Sequence, residues 1–88
     1  MEQTKDIVVA AISGVVSRCF GIDPASVTLE TSAESLEGWD SLTHLILLTS
    51  IERRLDIQLP KQEAYQAQDV GSLVRLARDA VAARQAAA

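Results

Sequence analysis

Three side chains that could take part in chemistry lie close together in the sequence: Asp40, Ser41 and His44. Residues three apart on a helix share a face, so Ser41 and His44 can meet if this segment is helical. A hydrolase would use this serine, histidine and acid together, but it would also need an oxyanion hole and a substrate pocket. A chain of 88 residues has little room for such a pocket. We therefore predict that the protein is not an enzyme.

Ser41 also has two interpretations that need no catalysis. A serine in the first turn of a helix commonly helps to cap the helix. The same end of a helix stabilises an attached phosphate, because free backbone N–H groups and the positive end of the helix dipole lie there. From its position alone, Ser41 is either a capping residue or a site of modification.

Composition and charge exclude several classes of protein. There are 8 Lys and Arg against 12 Asp and Glu, the net charge is −4 and the pI is about 4.7, which argues against a nucleic-acid partner. A single Cys cannot build a disulfide scaffold, and one His and one Cys at distant positions offer no metal-ligand spacing. No apolar run reaches the roughly 18 residues of a membrane span, and the N-terminus lacks the order of a signal peptide. We expect a soluble, cytoplasmic protein that binds neither metal nor membrane.

The acidic residues are concentrated ahead of Ser41. Residues 30–40 contain four acids and no Lys or Arg, and the acids are Glu30, Glu34, Glu37 and Asp40. Such a run is either a solvated loop or part of a docking surface. A partner that is steered by charge should carry basic residues.

Apolar residues at helical spacing predict three main helices. The first covers residues 7–20 and ends at Gly21, and the second runs from the cap Asp40 to Leu55. The third of these main helices begins near Asp69 and continues to about Val81, followed by an alanine-rich tail that we expect to fray. The expected architecture is a small all-α bundle.

The connections between these helices carry weaker signals. Residues 27–38 predict a long surface loop that is pinned by Val27, Leu29 and Leu36. Residues 56–60 predict an extended connector, and residues 61–67 are expected to hold one helical turn.

The second helix is apolar on more than one face. One narrow stripe is expected to face the core, and it consists of His44, Leu47, Leu48, Ile51 and Leu55. We expect Leu42 to be covered by the loop or by the short helical turn. Leu45 and Ile46 are harder to bury together with the stripe, so they are candidates for a protein-docking surface.

The segment 38–42, Gly-Trp-Asp-Ser-Leu, resembles the acyl carrier protein family. The triplet Asp-Ser-Leu is weak support alone, but the helix pattern that follows and the closing Ile-x-Leu-Pro strengthen it. The resemblance extends over the whole chain, and its further positions are Gly21, Ile22, Val27, Leu45, Leu48, Ile51, Glu52, Leu55, Ile57, Leu59, Pro60, Asp69, Val70, Leu73 and Val74.

The resemblance implies a four-helix bundle with a short third helix, in which residues 1–88 form a single carrier domain. It further implies that a phosphopantetheinyl transferase attaches 4′-phosphopantetheine from coenzyme A to Ser41, and that Asp40 and Leu42 belong to the surface which that enzyme recognises. The arm would hold an acyl group as a thioester. The implied partners are the transferase, an acyl-loading ligase or acyltransferase, and a synthase such as a ketosynthase. We expect a monomer.

We assign Glu37, Trp39, Leu45 and Ile46 to the docking surface. Members that serve fatty-acid synthesis carry a strip of acids on the second helix, whereas this chain has Ile46 and the pair Arg53-Arg54 and retains Glu52. These departures and the tryptophan before the aspartate suggest a stand-alone carrier of a specialised pathway, such as polyketide-type assembly. An aminoacyl or peptidyl carrier is the nearest alternative, and an unmodified interaction module is the alternative from another class.

Overall fold

A computed structural model describes residues 3–87, with side-chain burial for residues 7–86. The helices are α1 (Gln3–Phe20), α2 (Ser41–Leu55), α3 (Lys61–Gln66) and α4 (Val70–Ala87), with a 3₁₀ turn at Pro24–Ser26. Within 3–87 there is no strand, only an isolated bridge between residues 32 and 69. None of the helices in this range combines the length and the apolar character that crossing a bilayer requires. The predicted all-α four-helix bundle with a short third helix is confirmed.

The helix ends follow from local chemistry. Gly21 adopts a left-handed φ of 66°, and the N–H groups of Gly21 and Ile22 both donate to the Ser17 carbonyl, at 2.8 and 3.2 Å. The end of α1 is therefore where the sequence predicts it. The end of α4 is not, because the tail that we expected to fray continues the helix to Ala87. Alanine has the highest intrinsic helix propensity, which explains this extension.

The core consists of buried side chains from α1, α2 and α4, and α1 packs against both of the other two helices. On α2, His44, Leu47 and Ile51 are fully buried, while Leu48 and Leu55 pack against the core from its edge, so the predicted stripe is confirmed. The buried residues of the other two long helices include Ile12, Val16, Leu73, Val74 and Ala77. Helix α3 contacts both α2 and α4 and contributes the buried Ala64.

The loop that joins the 3₁₀ turn to α2 is held mainly by its backbone. Val27 and Leu36 pack against the core as predicted, but Leu29 is 50% exposed, so its predicted pinning role was wrong for the side chain. Its carbonyl instead accepts the N–H of Gly71 at 2.9 Å, and the Thr31 carbonyl accepts that of Val70 at 2.8 Å. The first N–H groups of a helix have no partner within the helix, and the loop supplies partners for those of α4.

The connector after α2 sets the position of α3. The prediction of an extended connector over residues 56–60 was wrong at Asp56, whose left-handed φ of 55° ends α2. Residues 57–60 lie outside any helix, Pro60 is extended, and the carboxylate of Glu52 accepts the Leu59 N–H at 2.8 Å. The side chains of Ile57 and Leu59 are buried. The carboxylate of Glu52 therefore contributes to the fold by holding the chain as it turns into α3.

The two faces of α2 should respond differently to truncation. Ile51 is 1% exposed and Ile46 is 51% exposed. We predict that Ile51→Ala lowers the free energy of unfolding by about 2–5 kcal/mol, whereas Ile46→Ala changes it by less than about 0.5 kcal/mol. Chemical denaturation measures both values. Equal losses would mean that the two faces are wrongly assigned.

Candidate functional site

Asp40 is the N-cap of α2. Its Oδ1 accepts the backbone N–H of Thr43 at 3.0 Å and the hydroxyl of the same residue at 2.9 Å. These two bonds, the backbone one first, favour the charged carboxylate and hold the pKa of Asp40 below its ordinary value of 3.8. Asp40 therefore provides the N-terminal cap of α2.

Ser41, the first residue of α2, is exposed. No hydrogen bond within the described part of the chain engages its hydroxyl, because the capping bonds are made by Asp40. The capping interpretation of Ser41 is therefore wrong for its side chain. The structure presents a reachable hydroxyl oxygen at the positive end of a helix, where an attached phosphate would be stabilised.

His44 faces inward and does not meet Ser41. The residue is 1% exposed, and its Nδ1 accepts the indole N–H of Trp39 at 3.0 Å. The proton of a neutral ring then lies on Nε2, which donates to the Ala64 carbonyl at 2.9 Å. Since both ring nitrogens are occupied, His44 cannot take a proton from Ser41. The arrangement of a serine hydrolase is not formed.

Trp39 is a correction to the predicted docking surface. Its side chain is 6% exposed and lies among the rings of Phe20 and His44, with centroids 5.7 and 5.9 Å away. Gly38, at a φ of 94°, lets the loop turn so that the indole enters the core. A residue just before an N-cap often packs against the fourth residue of the helix, the relation between Trp39 and His44. That spacing was the signal that could have placed Trp39 inside.

The other predicted docking residues are on the surface. Leu45 is 49% and Ile46 51% exposed, and Glu37 is exposed as well. Leu42 was expected to be covered, but it is 69% exposed because the loop packs against the start of α4 instead of over α2. The exposed apolar area beside Ser41 is therefore larger than the sequence pattern indicated.

An open groove of about 610 Å³ runs between α2 and α3. Its apolar lining is Leu45, Leu48, Leu59, Ala64 and Tyr65, and its polar lining is Thr49, Glu52, Lys61 and Gln62. Leu45 lies one turn after Ser41, so the groove begins near the reachable hydroxyl. Across residues 3–87 no cluster of three or more His, Cys, Asp or Glu could hold a metal ion.

Comparisons with known proteins agree with this geometry. A family model described as "Phosphopantetheine attachment site" matches residues 10–77. The acyl carrier protein of Helicobacter acinonychis (strain Sheeba) is 31% identical over 68 residues, which cover 77% of this chain and 87% of that protein. The acyl carrier protein of Clostridium acetobutylicum is 30% identical over 63 residues, covering 72% of this chain and 82% of that protein.

A solved structure shares the fold. The solution NMR structure of holo acyl carrier protein from Geobacter metallireducens superimposes with a TM-score of 0.78 at 29% identity, and covers 90% of this chain and 91% of that one. The similarity therefore extends across most of the helical bundle.

The cap at Asp40 generates a prediction on stability and pH. Because the folded pKa of Asp40 is lowered, the carboxylate stabilises the fold fully above its ordinary value of 3.8, and this contribution is lost as the pH falls through the lower folded value. Asp40→Asn should therefore lower the melting temperature at neutral pH, and the difference from the wild type should shrink in acid. Thermal melts at a series of pH values measure this difference. Glu37→Gln is the matched control, since it removes a nearby charge that accepts no capping bond, whereas Asp40→Asn removes the charge of the cap itself. If the difference in melting temperature between Asp40→Asn and the wild type grew in acid, the charged carboxylate of Asp40 would not be the stabilising cap.

Proposed function

The chain belongs to the acyl carrier protein family, whose prosthetic group is covalently attached phosphopantetheine, and we propose that Ser41 is the residue that bears this group. The observation that carries the proposal is the exposed Ser41 hydroxyl, which the cap at Asp40 leaves without a structural role. It lies at the first position of α2, where free backbone N–H groups and the helix dipole favour an attached phosphate.

The residues around Ser41 fit the group. The start of α2 offers its dipole to the phosphodiester that the Ser41 oxygen would join, and Asp40 keeps that helix start formed by capping it. The exposed Leu42 gives a phosphopantetheinyl transferase an apolar contact next to the hydroxyl. Asp40 and Leu42 are thus the residues by which we expect the transferase to recognise the site.

The described residues around Ser41 indicate how the work would be divided between this protein and its partner enzymes. When bound, the group supplies a flexible arm ending in a thiol that carries an acyl cargo as a thioester. The described residues place no general base against Ser41, because both nitrogens of His44 are engaged inside the core. Catalysis would come from partner enzymes, so we assign the protein as a carrier and not as an enzyme. The apolar groove between α2 and α3 offers a surface against which cargo can rest.

The partners would be the transferase, an acyl-loading ligase or acyltransferase, and a synthase such as a ketosynthase. We assign docking to Glu37, Leu45 and Ile46, which are exposed around the start of α2. An apolar Ile46 and the basic Arg53 on this helix favour a specialised pathway, such as polyketide-type assembly, over fatty-acid synthesis.

We treat residues 1–88 as one carrier domain that acts as a monomer. An aminoacyl or peptidyl carrier would share the fold and the prosthetic group and would differ in its cargo. An interaction module that is never modified is the alternative from another class, and it predicts that Ser41 stays free.

Modification of Ser41 can be tested by intact mass. We predict that incubation with coenzyme A and a broad-specificity transferase adds one phosphopantetheinyl group to the wild type and none to Ser41→Ala. Ser50→Ala, which changes a serine farther along the same helix, should be modified like the wild type. Circular dichroism should show the same helical content in all three proteins.

Two results would contradict the proposal. A wild-type protein that gains no mass would support the unmodified interaction module. A Ser41→Ala protein that still gains the group would place the attachment at another residue.

A further inference from the structure

One row of side chains on α2 is exposed from the first turn to the last. Leu42, Ile46, Thr49 and Arg53 follow one another at steps of four, three and four, which places them within about 60° around the helix axis. All four are exposed. We call Leu42, Ile46, Thr49 and Arg53 the outer row.

The middle and the end of the outer row form one continuous surface. A shallow depression of about 320 Å³ is lined by Leu45, Ile46, Thr49, Ser50 and Arg53. The apolar side chain of Ile46 and the charged side chain of Arg53 can therefore contact the same partner segment. Arg53 forms no ion pair with any carboxylate of the described residues, so its charge is available to a partner.

The charge of this face changes sign along the helix. Ahead of Ser41, Glu34, Glu37 and Asp40 are exposed, and no Lys or Arg occurs between residues 18 and 53. The only acid of α2 is Glu52, and its carboxylate is engaged by the Leu59 N–H. Arg53 lies twelve residues after Ser41, or about 18 Å along the axis. A partner that lies along α2 would therefore contact negative charge near Ser41, apolar side chains at Ile46, and positive charge at Arg53.

We propose that Arg53 selects, among the enzymes that dock on α2, those whose carrier-binding surface presents a carboxylate opposite Arg53 beside an apolar contact for Ile46. The inference rests on the proposed carrier function. Complementary charges at the rim of an interface raise the association rate and exclude wrong partners. A partner surface that is basic along its whole length would be repelled by Arg53, so the chain would discriminate against enzymes built for a uniformly acidic helix.

Adjacent arginines provide a matched pair of variants. Arg53→Glu and Arg54→Glu make the same change of charge in the same turn, but the two side chains lie about 100° apart around the helix, and only Arg53 belongs to the outer row. Each variant is first converted to its holo form with coenzyme A and a broad-specificity transferase, and intact mass confirms the conversion. The probe is then an acyl-loading ligase that acylates the holo wild type, assayed for kcat/KM with the carrier concentration varied.

We expect Arg53→Glu to lower kcat/KM by about tenfold or more, through KM, and Arg54→Glu to change it by less than about twofold. The loss for Arg53→Glu should shrink at high salt, which a merely structural role would not produce. Changing the facing carboxylate of the loading enzyme to lysine should restore activity with Arg53→Glu. Ile46→Glu should also raise KM while leaving the melting temperature unchanged.

The outcomes separate this inference from the proposed function. If Ser41 is never modified, the carrier function itself fails. If the holo variants form and Arg53→Glu behaves like Arg54→Glu, Arg53 does not select the loading enzyme and the inference is wrong. If Arg53→Glu raises kcat/KM, the loading enzyme presents basic residues there, and the proposed partner chemistry is overturned.

Discussion

Two hydrogen bonds through one buried imidazole hold together the three elements around the site. The Trp39 indole donates to Nδ1 of His44, and Nε2 of His44 donates to the Ala64 carbonyl, so the loop before α2, α2 itself and α3 share one polar connection inside the core. An unsatisfied polar group of this kind costs about 1–3 kcal/mol, and only one neutral tautomer satisfies both partners. No buried side-chain nitrogen or oxygen in the described part of the chain lacks a hydrogen-bond partner. The His44 imidazole therefore has a structural role. Its hydrogen bonds to Trp39 and Ala64 hold the start of α2 in place, and Ser41 faces solvent there.

The two sides of α2 therefore suit two different tasks. The inner side buries Leu47 and Ile51 in the core, where α2 packs mainly against α1, and the outer side leaves Leu42 and Ile46 in contact with solvent. Exposed apolar residues in such numbers do not stabilise a fold, but they suit a surface that docks and releases partners in turn. Small interfaces with charged rims allow exchange between enzymes, because discrimination then depends on a few contacts and not on a large buried area.

Periodicity and turn chemistry predict much of this arrangement. The inner stripe of α2, the cap at Asp40 and the glycine that ends α1 follow from spacing and residue type alone. The errors arise where a side chain has a choice that depends on distant elements. Trp39 enters the core because its indole packs between the rings of Phe20 and His44. Leu42 stays exposed because the loop forms hydrogen bonds with the start of α4. The position of Ser41 at a helix start was predictable. That its hydroxyl makes no capping bond follows from the bonds that Asp40 makes to Thr43, and these are seen only in the structure.

The tautomer of His44 tests the central claim most directly. The chain has one histidine and one tryptophan, so the nitrogen-15 resonances of both rings can be assigned without ambiguity by NMR. The account predicts a proton on Nε2 of His44 and none on Nδ1, and an indole N–H of Trp39 that exchanges slowly with water. A proton on Nδ1, or an indole N–H that exchanges like an exposed one, would show that the connection is not formed and that another interaction fixes the start of α2.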